Sequence, residues 1–500
     1  KISIMKKSIL KFLTVVCFIA FSGCDSYLDE DPIGLITKDR IDTEPTAASI
    51  ISSVNSTYQL LSRTLNVIGQ WNWDQGTITR NDFLLQDIAS GDMQKKWNPD
   101  GDQAWMDEVA AFNFTSMNPG FNGIWSYDYE GISRANQAIT TLNNSEVMSS
   151  VDMDGATKDR LLGEVYFLRA FYYFDLVNNF GGVPLLTEPL QDFSDAYQVA
   201  KRSTQQEIWA QITADLQESV SLLAEQKYSS NAEPWRVSIG AAIAMQAKVN
   251  LFQQNWNEVI NKVNQLQGYN FYSLDNNYFD PFDVNKEYQE NEVIFSYDHV
   301  SGLTPSKGNG LSALMGWGFL APTQNFLDAF EENDPRLEYT VQVAQQQQHK
   351  LLGTTDGRYK GNEDSPGNKV YIRYADVLLW KAEAFIENGE IEKGLAIIDQ
   401  IRTRARNTPK IDGSATPSNA LPNYAGTGVS KAEALQILRH ERRVELGFES
   451  QRFNDLKRWG IAEDVLTNLG KNYQSYNSLY PIPQGEIDRS GGQIEQNPGY

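Results

Sequence analysis

The placement of tryptophan is the first chemical signal in the chain. Five of the eleven tryptophans, Trp71, Trp73, Trp97, Trp105 and Trp125, fall within residues 71–125, where an even spread would put about one. That stretch is rich in Gly, Asn, Asp and Pro with weak hydrophobic periodicity, so it reads as long irregular backbone, which is uncommon in a folded chain unless it is functional. Aromatic faces held beside Asn, Asp and Arg form platforms on which the C–H faces of sugar rings stack while their hydroxyls bond to polar neighbours. Any single tryptophan here is accounted for by core packing under a loop, but the group leads us to expect at least one exposed platform. Trp317 stands in Met315-Gly316-Trp317-Gly318-Phe319, where the flanking glycines argue for a turn that presents the ring.

Other chemistries lack their residues. The three histidines, His299, His349 and His440, are far apart, and His440-Glu441-Arg442-Arg443-Val444 has no second histidine for a zincin site. No Gly-x-Ser-x-Gly elbow and no phosphate-binding loop ending in Gly-Lys-Ser/Thr occurs. Gly308-Asn309-Gly310 and Gly316-Trp317-Gly318 read as turns, and the acidic runs Asp100-Gly101-Asp102 and Asp275-Asn276-Asn277 lack the bidentate glutamate of a calcium loop. No metal, cofactor or catalytic residue is expected. Nothing selects a carboxylate pair for glycoside hydrolysis among the 64 acids, so a surface glycosidase stays open as the alternative from another class. Glu441, Arg442, Arg443, Glu445, Glu449, Arg452, Asp455 and Arg458 form a dense charged cluster. The spacings of Arg442 to Glu445 and Asp455 to Arg458 predict ion pairs within helices, a structural role.

The balance of 43 basic against 64 acidic residues gives −21, which repels phosphate backbones and excludes nucleic acid as a partner. With 41% hydrophobic residues the chain can bury enough apolar surface to fold. The two cysteines, Cys17 and Cys24, are too few for a disulfide framework. Met5-Lys6-Lys7-Ser8, an apolar run from Ile9 to Phe21 interrupted by Lys11, and Ser22-Gly23 predict a signal peptide over residues 1–23. Phe21-Ser22-Gly23-Cys24 resembles a bacterial lipobox, which makes Cys24 the expected lipidation site, although Phe21 replaces the usual leucine. Residues 24–40 carry Asp25, Asp29, Glu30 and Asp31 at their start and read as an acidic tether. Acids directly after the lipidated cysteine also resemble the export signal of surface-facing lipoproteins.

The elements behind the candidate face are helical. Leu161, Val165, Leu168, Tyr172 and Leu176 recur at spacings of three and four and predict a helix over Thr157–Asn179, stopped by Gly181-Gly182-Val183-Pro184. Ile208, Ile212, Leu216, Val220 and Leu223 predict another over Thr204–Leu223. Ser238–Phe252 with Trp256–Leu266, and Tyr374–Glu387 with Ile391–Arg406, predict two helical hairpins that share small residues on the first helix. They resemble divergent tetratricopeptide repeats, in which small residues let paired helices pack closely. Ser430–Trp459 predicts a last long helical region, and Tyr269–Lys369 reads as irregular.

Several segments resemble the SusD/RagB family of outer-membrane nutrient-binding lipoproteins. They are Leu168-Arg169-Ala170-Phe171-Tyr172-Tyr173-Phe174-Asp175-Leu176-Val177 with Phe180-Gly181-Gly182-Val183-Pro184-Leu185, and Arg373-Tyr374-Ala375-Asp376-Val377-Leu378-Leu379 with Ala382-Glu383-Ala384. Glu441 to Glu449 with Arg452 to Trp459, and Tyr480-Pro481-Ile482-Pro483 with Gln496-Asn497-Pro498-Gly499-Tyr500, complete the set. The resemblance implies a mostly α SusD-like fold in which tetratricopeptide-like hairpins form a scaffold and long irregular loops bind ligand. It implies one domain over 41–500, with an N-terminal half of about 41–270 and a C-terminal half of about 271–500. It also implies capture of oligosaccharides and polysaccharides at the outer membrane for a SusC-like TonB-dependent transporter, with a peptide-binding member of the family as a further alternative. Carried over from the starch-binding type, the expected glycan contacts are Trp71, Asp74, Arg80, Trp97, Tyr297 and Trp317.

Overall fold

The computed structural model describes residues 45–69, 73–95, 101–190, 197 and 199–500. Helices dominate, and their ends follow local chemistry. We number those used below α1 (Ala47–Tyr58), α2 (Asn122–Asn143), α3 (Gly155–Phe180), α4 (Gln205–Leu222), α5 (Ile239–Phe252) and α6 (Trp256–Gly268). The series continues with α7 (Leu311–Trp317), α8 (Tyr374–Glu387), α9 (Ile391–Asn407), α10 (Lys431–Glu445) and α11 (Arg452–Arg458). Asp154 caps α3 by accepting from Thr157 N–H, and Gly181 at φ 77° ends it. Thr204 and Glu207 form a reciprocal capping box at α4, and Ser430 with Glu433 does the same at α10.

The helices pack in a running series. α1 and α3 both lie on α2, α4 on α3, α5 on α4, α6 on α5, α8 on α6, and α9 and α10 on α8. Small residues set the spacing in the hairpins, since Ala241, Ala244, Ala247, Ala375, Ala382 and Ala384 are all buried. One hydrophobic cluster takes in side chains from Ile50 to Ile494, and a second lies under α8, α9 and α10. Among the described residues, sheet is confined to two-stranded pieces. The longest joins β1 (Val293–Tyr297) antiparallel to β2 (Lys369–Arg373), with register irregularities on either side of Phe295.

One expectation is refined and one corrected. The Ser430–Trp459 region is helical, divided into α10, which ends at Glu445, and α11, which begins at Arg452, because Phe448 and Ser450 take left-handed backbone at φ 64° and 62°. The 71–125 window is also less irregular than its composition suggests, holding a helix at Ala104–Ala111 and the start of α2, which carries Trp125.

The charged cluster is structural, though half of its expected pairing differs. Asp455 and Arg458 pair within α11 at 2.8 Å, whereas Arg442 reaches Asp376 of α8 at 2.8 Å and Asp455 at 2.9 Å instead of Glu445. Glu445 is the centre of a separate buried network. It receives Arg336 at 3.0 Å, Arg373 at 2.8 Å and Arg404, while Arg373 also binds Glu292 at 2.6 Å and Glu449 at 2.7 Å. Every member of this network is nearly inaccessible. Burying charge is costly unless each group is paired, and here each charge has a partner from another element.

Candidate functional site

Trp73 sits in a turn closed by the Gly76 N–H donating to the Trp73 carbonyl at 3.0 Å. Its half-buried ring lies 6.2 Å from Trp317 and 5.1 Å from Phe319, centroid to centroid, in tilted arrangements. Such pairs add about 0.5–1.5 kcal/mol beyond area burial and hold each other's orientation.

Trp317 is the last residue of α7. Leu311, Leu314 and Met315 bury the inner side of that helix, and Gly318 at φ 91° ends it, its N–H bonded back to Leu314 and Met315 carbonyls. Trp317 is left half-buried at the helix tip. Gly310, the residue immediately before α7, donates its N–H to the Arg63 carbonyl at 3.0 Å, which ties this helix to the segment leading to Trp73. Gly316 serves a second contact. A Cβ there would lie 2.4 Å from the Gly361 Cα, so only glycine lets the 356–364 loop rest on the helix end. Gly361 N–H donates to the Ser312 carbonyl at 2.8 Å and fixes that loop. It brings Tyr359, half-buried against the main core, with the Arg358 guanidinium 5.3 Å from its ring.

The predicted site residues divide. Trp317 lies in this aromatic group, and Asp74, next to Trp73, is exposed. Tyr297 is only 7% exposed: its ring packs 4.8 Å from His299, the Lys307 ammonium lies 5.7 Å away, and Lys307 pairs with Asp298 at 2.8 Å. Burial, then Asp298, raise the Tyr297 hydroxyl pKa, so it stays a neutral hydroxyl. Arg80 requires a correction. It has no exposed surface, and its guanidinium is bound by Asp128 at 2.6 Å and by Asp175, so it braces the scaffold instead of facing a ligand. Trp71 and Trp97 lie outside the described residues, as do Cys24, the signal segment and the 24–40 tether. Of the remaining clustered tryptophans, Trp105 at 9% and Trp125 at 3% exposure are core, Trp125 packing on Tyr129 and Phe180.

Trp73, Phe319, Tyr359 and Arg358 were not among the predicted contacts. The signal was present for the last two, because Gly357 and Gly361 bracket an Arg-Tyr-Lys triplet in a turn-rich loop. Among the described residues no group of three His, Cys, Asp or Glu side chains is placed to hold a metal ion, and no helix is long and apolar enough to cross a membrane.

Two family profiles match the chain: one described as starch-binding associating with outer membrane over residues 42–251, the other as the SusD family over residues 345–500. The chain is 25% identical to a SusD-like protein P2 of Formosa agariphila, across 99% of this chain and 100% of that one. It is 23% identical to a SusD-like protein of Bacteroides ovatus, across 99% and 92%. Among solved structures, a laminarin binding SusD-like protein superposes with a TM-score of 0.72 at 25% identity, covering 91% of this chain and 100% of the other. Surface glycan-binding protein A from Bacteroides fluxus gives a TM-score of 0.71 at 24% identity, over 91% and 99%.

Proposed function

The chain belongs to the SusD/RagB family, and from that premise we propose that it is a noncatalytic glycan-binding lipoprotein of the outer-membrane surface, delivering its ligand to a SusC-like TonB-dependent transporter. The observation that carries the reading is the Trp73, Trp317 and Phe319 group, two half-buried indoles on a helix tip and a turn, fixed by a buried third ring and a packed loop. Rings held this way stack on sugar faces with little loss of conformational freedom, which is how a rigid aromatic anchor yields affinity. Tyr297, Asp74 and Arg358 are the polar groups we assign to the rim of the same face. The laminarin-binding neighbour makes laminarin the first ligand to test.

Two measurements check the proposal. The purified protein should be retarded in a polysaccharide gel and release no reducing ends from the same glycan; release that vanishes on mutating one carboxylate would establish a glycosidase instead. Anchoring rests on Cys24, whose acyl chains would hold the protein without a membrane-spanning helix. Cys24→Ala should leave the fold intact and move the protein from membrane to soluble fractions. Sedimentation of that variant with outer membranes, in cells lacking the transporter, would count against the lipid anchor.

A further inference from the structure

The segments that build the aromatic face are unbalanced in charge. Residues 73–76 and 356–364 carry four carboxylates, Asp74, Asp356, Glu363 and Asp364, against two cations, Arg358 and Lys360. Both cations are already engaged. Arg358 pairs with Asp356 at 3.4 Å, and Lys360 donates to the Gln345 carbonyl at 3.0 Å. Asp74 and Glu363 are exposed and meet no cation among the described residues. Asp364 accepts from the Ser301 and Ser306 hydroxyls and from the Gly302 N–H. Around this face the whole chain carries a formal charge of −21.

From this we infer that the face takes neutral glycans and turns away sulfated or uronic-acid glycans of the same backbone. The inference rests on the glycan-binding reading above and narrows it to a substrate class. Stacking on Trp73 and Trp317 is indifferent to substituent charge, but a sulfate or carboxylate brought onto the face loses hydration and needs a cation to offset that cost. It would meet Asp74 and Glu363 as well as the Asp356-paired Arg358, within a field that is negative on balance.

Ionic strength exposes this mechanism, because the Debye length falls from about 30 Å at ~0.01 M to about 8 Å at ~0.15 M. Laminarin and chemically sulfated laminarin are titrated into the purified protein at both salt concentrations. Laminarin affinity should not change with salt. The sulfated form should bind about tenfold or more weakly at low salt, with the gap narrowing at high salt. Glu363→Lys, at an exposed position outside the ring contacts, should narrow the low-salt gap severalfold and leave laminarin binding unchanged. Sulfated laminarin binding as tightly as laminarin at low salt, or a gap indifferent to Glu363→Lys, overturns the inference alone. Failure of laminarin and of a panel of other neutral polysaccharides to bind overturns the glycan reading, and this inference with it.

Discussion

Trp317 is the residue at which the proposed glycan reading separates affinity from stability. Its ring is half-buried at the tip of α7 and leans on Trp73, so truncation to Ala removes exposed aromatic area and one ring pair but opens no enclosed cavity. Glycan affinity should fall by about 1–3 kcal/mol for Trp317→Ala and for Trp73→Ala, with melting temperature lowered only slightly. Trp125→Ala should do the reverse, because that ring is 3% exposed among Tyr129 and Phe180, and emptying such a site costs about 3–5 kcal/mol of stability. Calorimetric titration and thermal melts on the three variants separate the two behaviours; an early-melting Trp317→Ala with intact binding would relocate the site. The sequence marked tryptophan density and the glycine frame around Trp317, and both led to the aromatic group. It could not say which rings face outward, since Trp105 and Trp125 share the composition of the window but sit on helices whose inner faces are decided by distant partners. Arg80 illustrates the same limit: its guanidinium is used by Asp128 and Asp175, 48 and 95 residues away.

At the scale of elements, the helices of the scaffold were legible because cap chemistry and period agree. The structure starts α3, α4, α5 and α8 within two residues of the starts expected at Thr157, Thr204, Ser238 and Tyr374. The break between α10 and α11 was not legible, because it lies in left-handed backbone at Phe448 and Ser450, non-glycine residues whose types do not announce that conformation. Helix crossings are likewise set by residues that propensity would misread. Gly131 lies within α2, where Ala would ordinarily gain about 0.5–1 kcal/mol over Gly. Here an added Cβ would stand 2.3 Å from the ring of Tyr172 on α3, and that ring is fully buried with its hydroxyl bonded to the Thr57 carbonyl. Gly131→Ala should therefore destabilise by about 1–3 kcal/mol through overpacking. Gly155→Ala, at the open start of α3, should be neutral or slightly stabilising. Urea unfolding of the pair checks the sign, and a stabilised Gly131→Ala would mean that α2 and α3 are not packed this closely.

For the whole molecule, charge and core decide how it unfolds. Burial alone would raise the Glu449 carboxyl, but Arg373 and Lys350 outweigh it and hold it below its usual value; Arg442 and Arg458 do the same for Asp455 against its burial. Groups depressed in the folded state contribute stability that is present above the unfolded values of about 3.9–4.3 and is lost as pH falls through the folded ones. Melting temperature should accordingly drop steeply below about pH 4, and the fall should be shallower in Glu449→Gln, which no longer titrates. The last expectation concerns the two halves. Chains beyond about 250–300 residues usually split into separately folding domains, and the family profiles meet residues 42–251 and 345–500 separately. The contacts argue for one unit. Arg443 binds Asp92 at 2.7 Å, the Tyr480 hydroxyl donates to the Leu85 carbonyl at 2.7 Å, and the Asn497 amide donates to the Phe180 carbonyl at 3.0 Å. Tyr480, Ile482 and Ile494 complete the core that α2 and α3 begin, so the N-terminal half alone would expose an open hydrophobic face and unpaired buried acids. A fragment of residues 41–270 should show no cooperative thermal transition, while the whole chain should melt once, with calorimetric and van't Hoff enthalpies equal. A sharp, reversible transition in the fragment would show instead that the shared core is an interface between two domains.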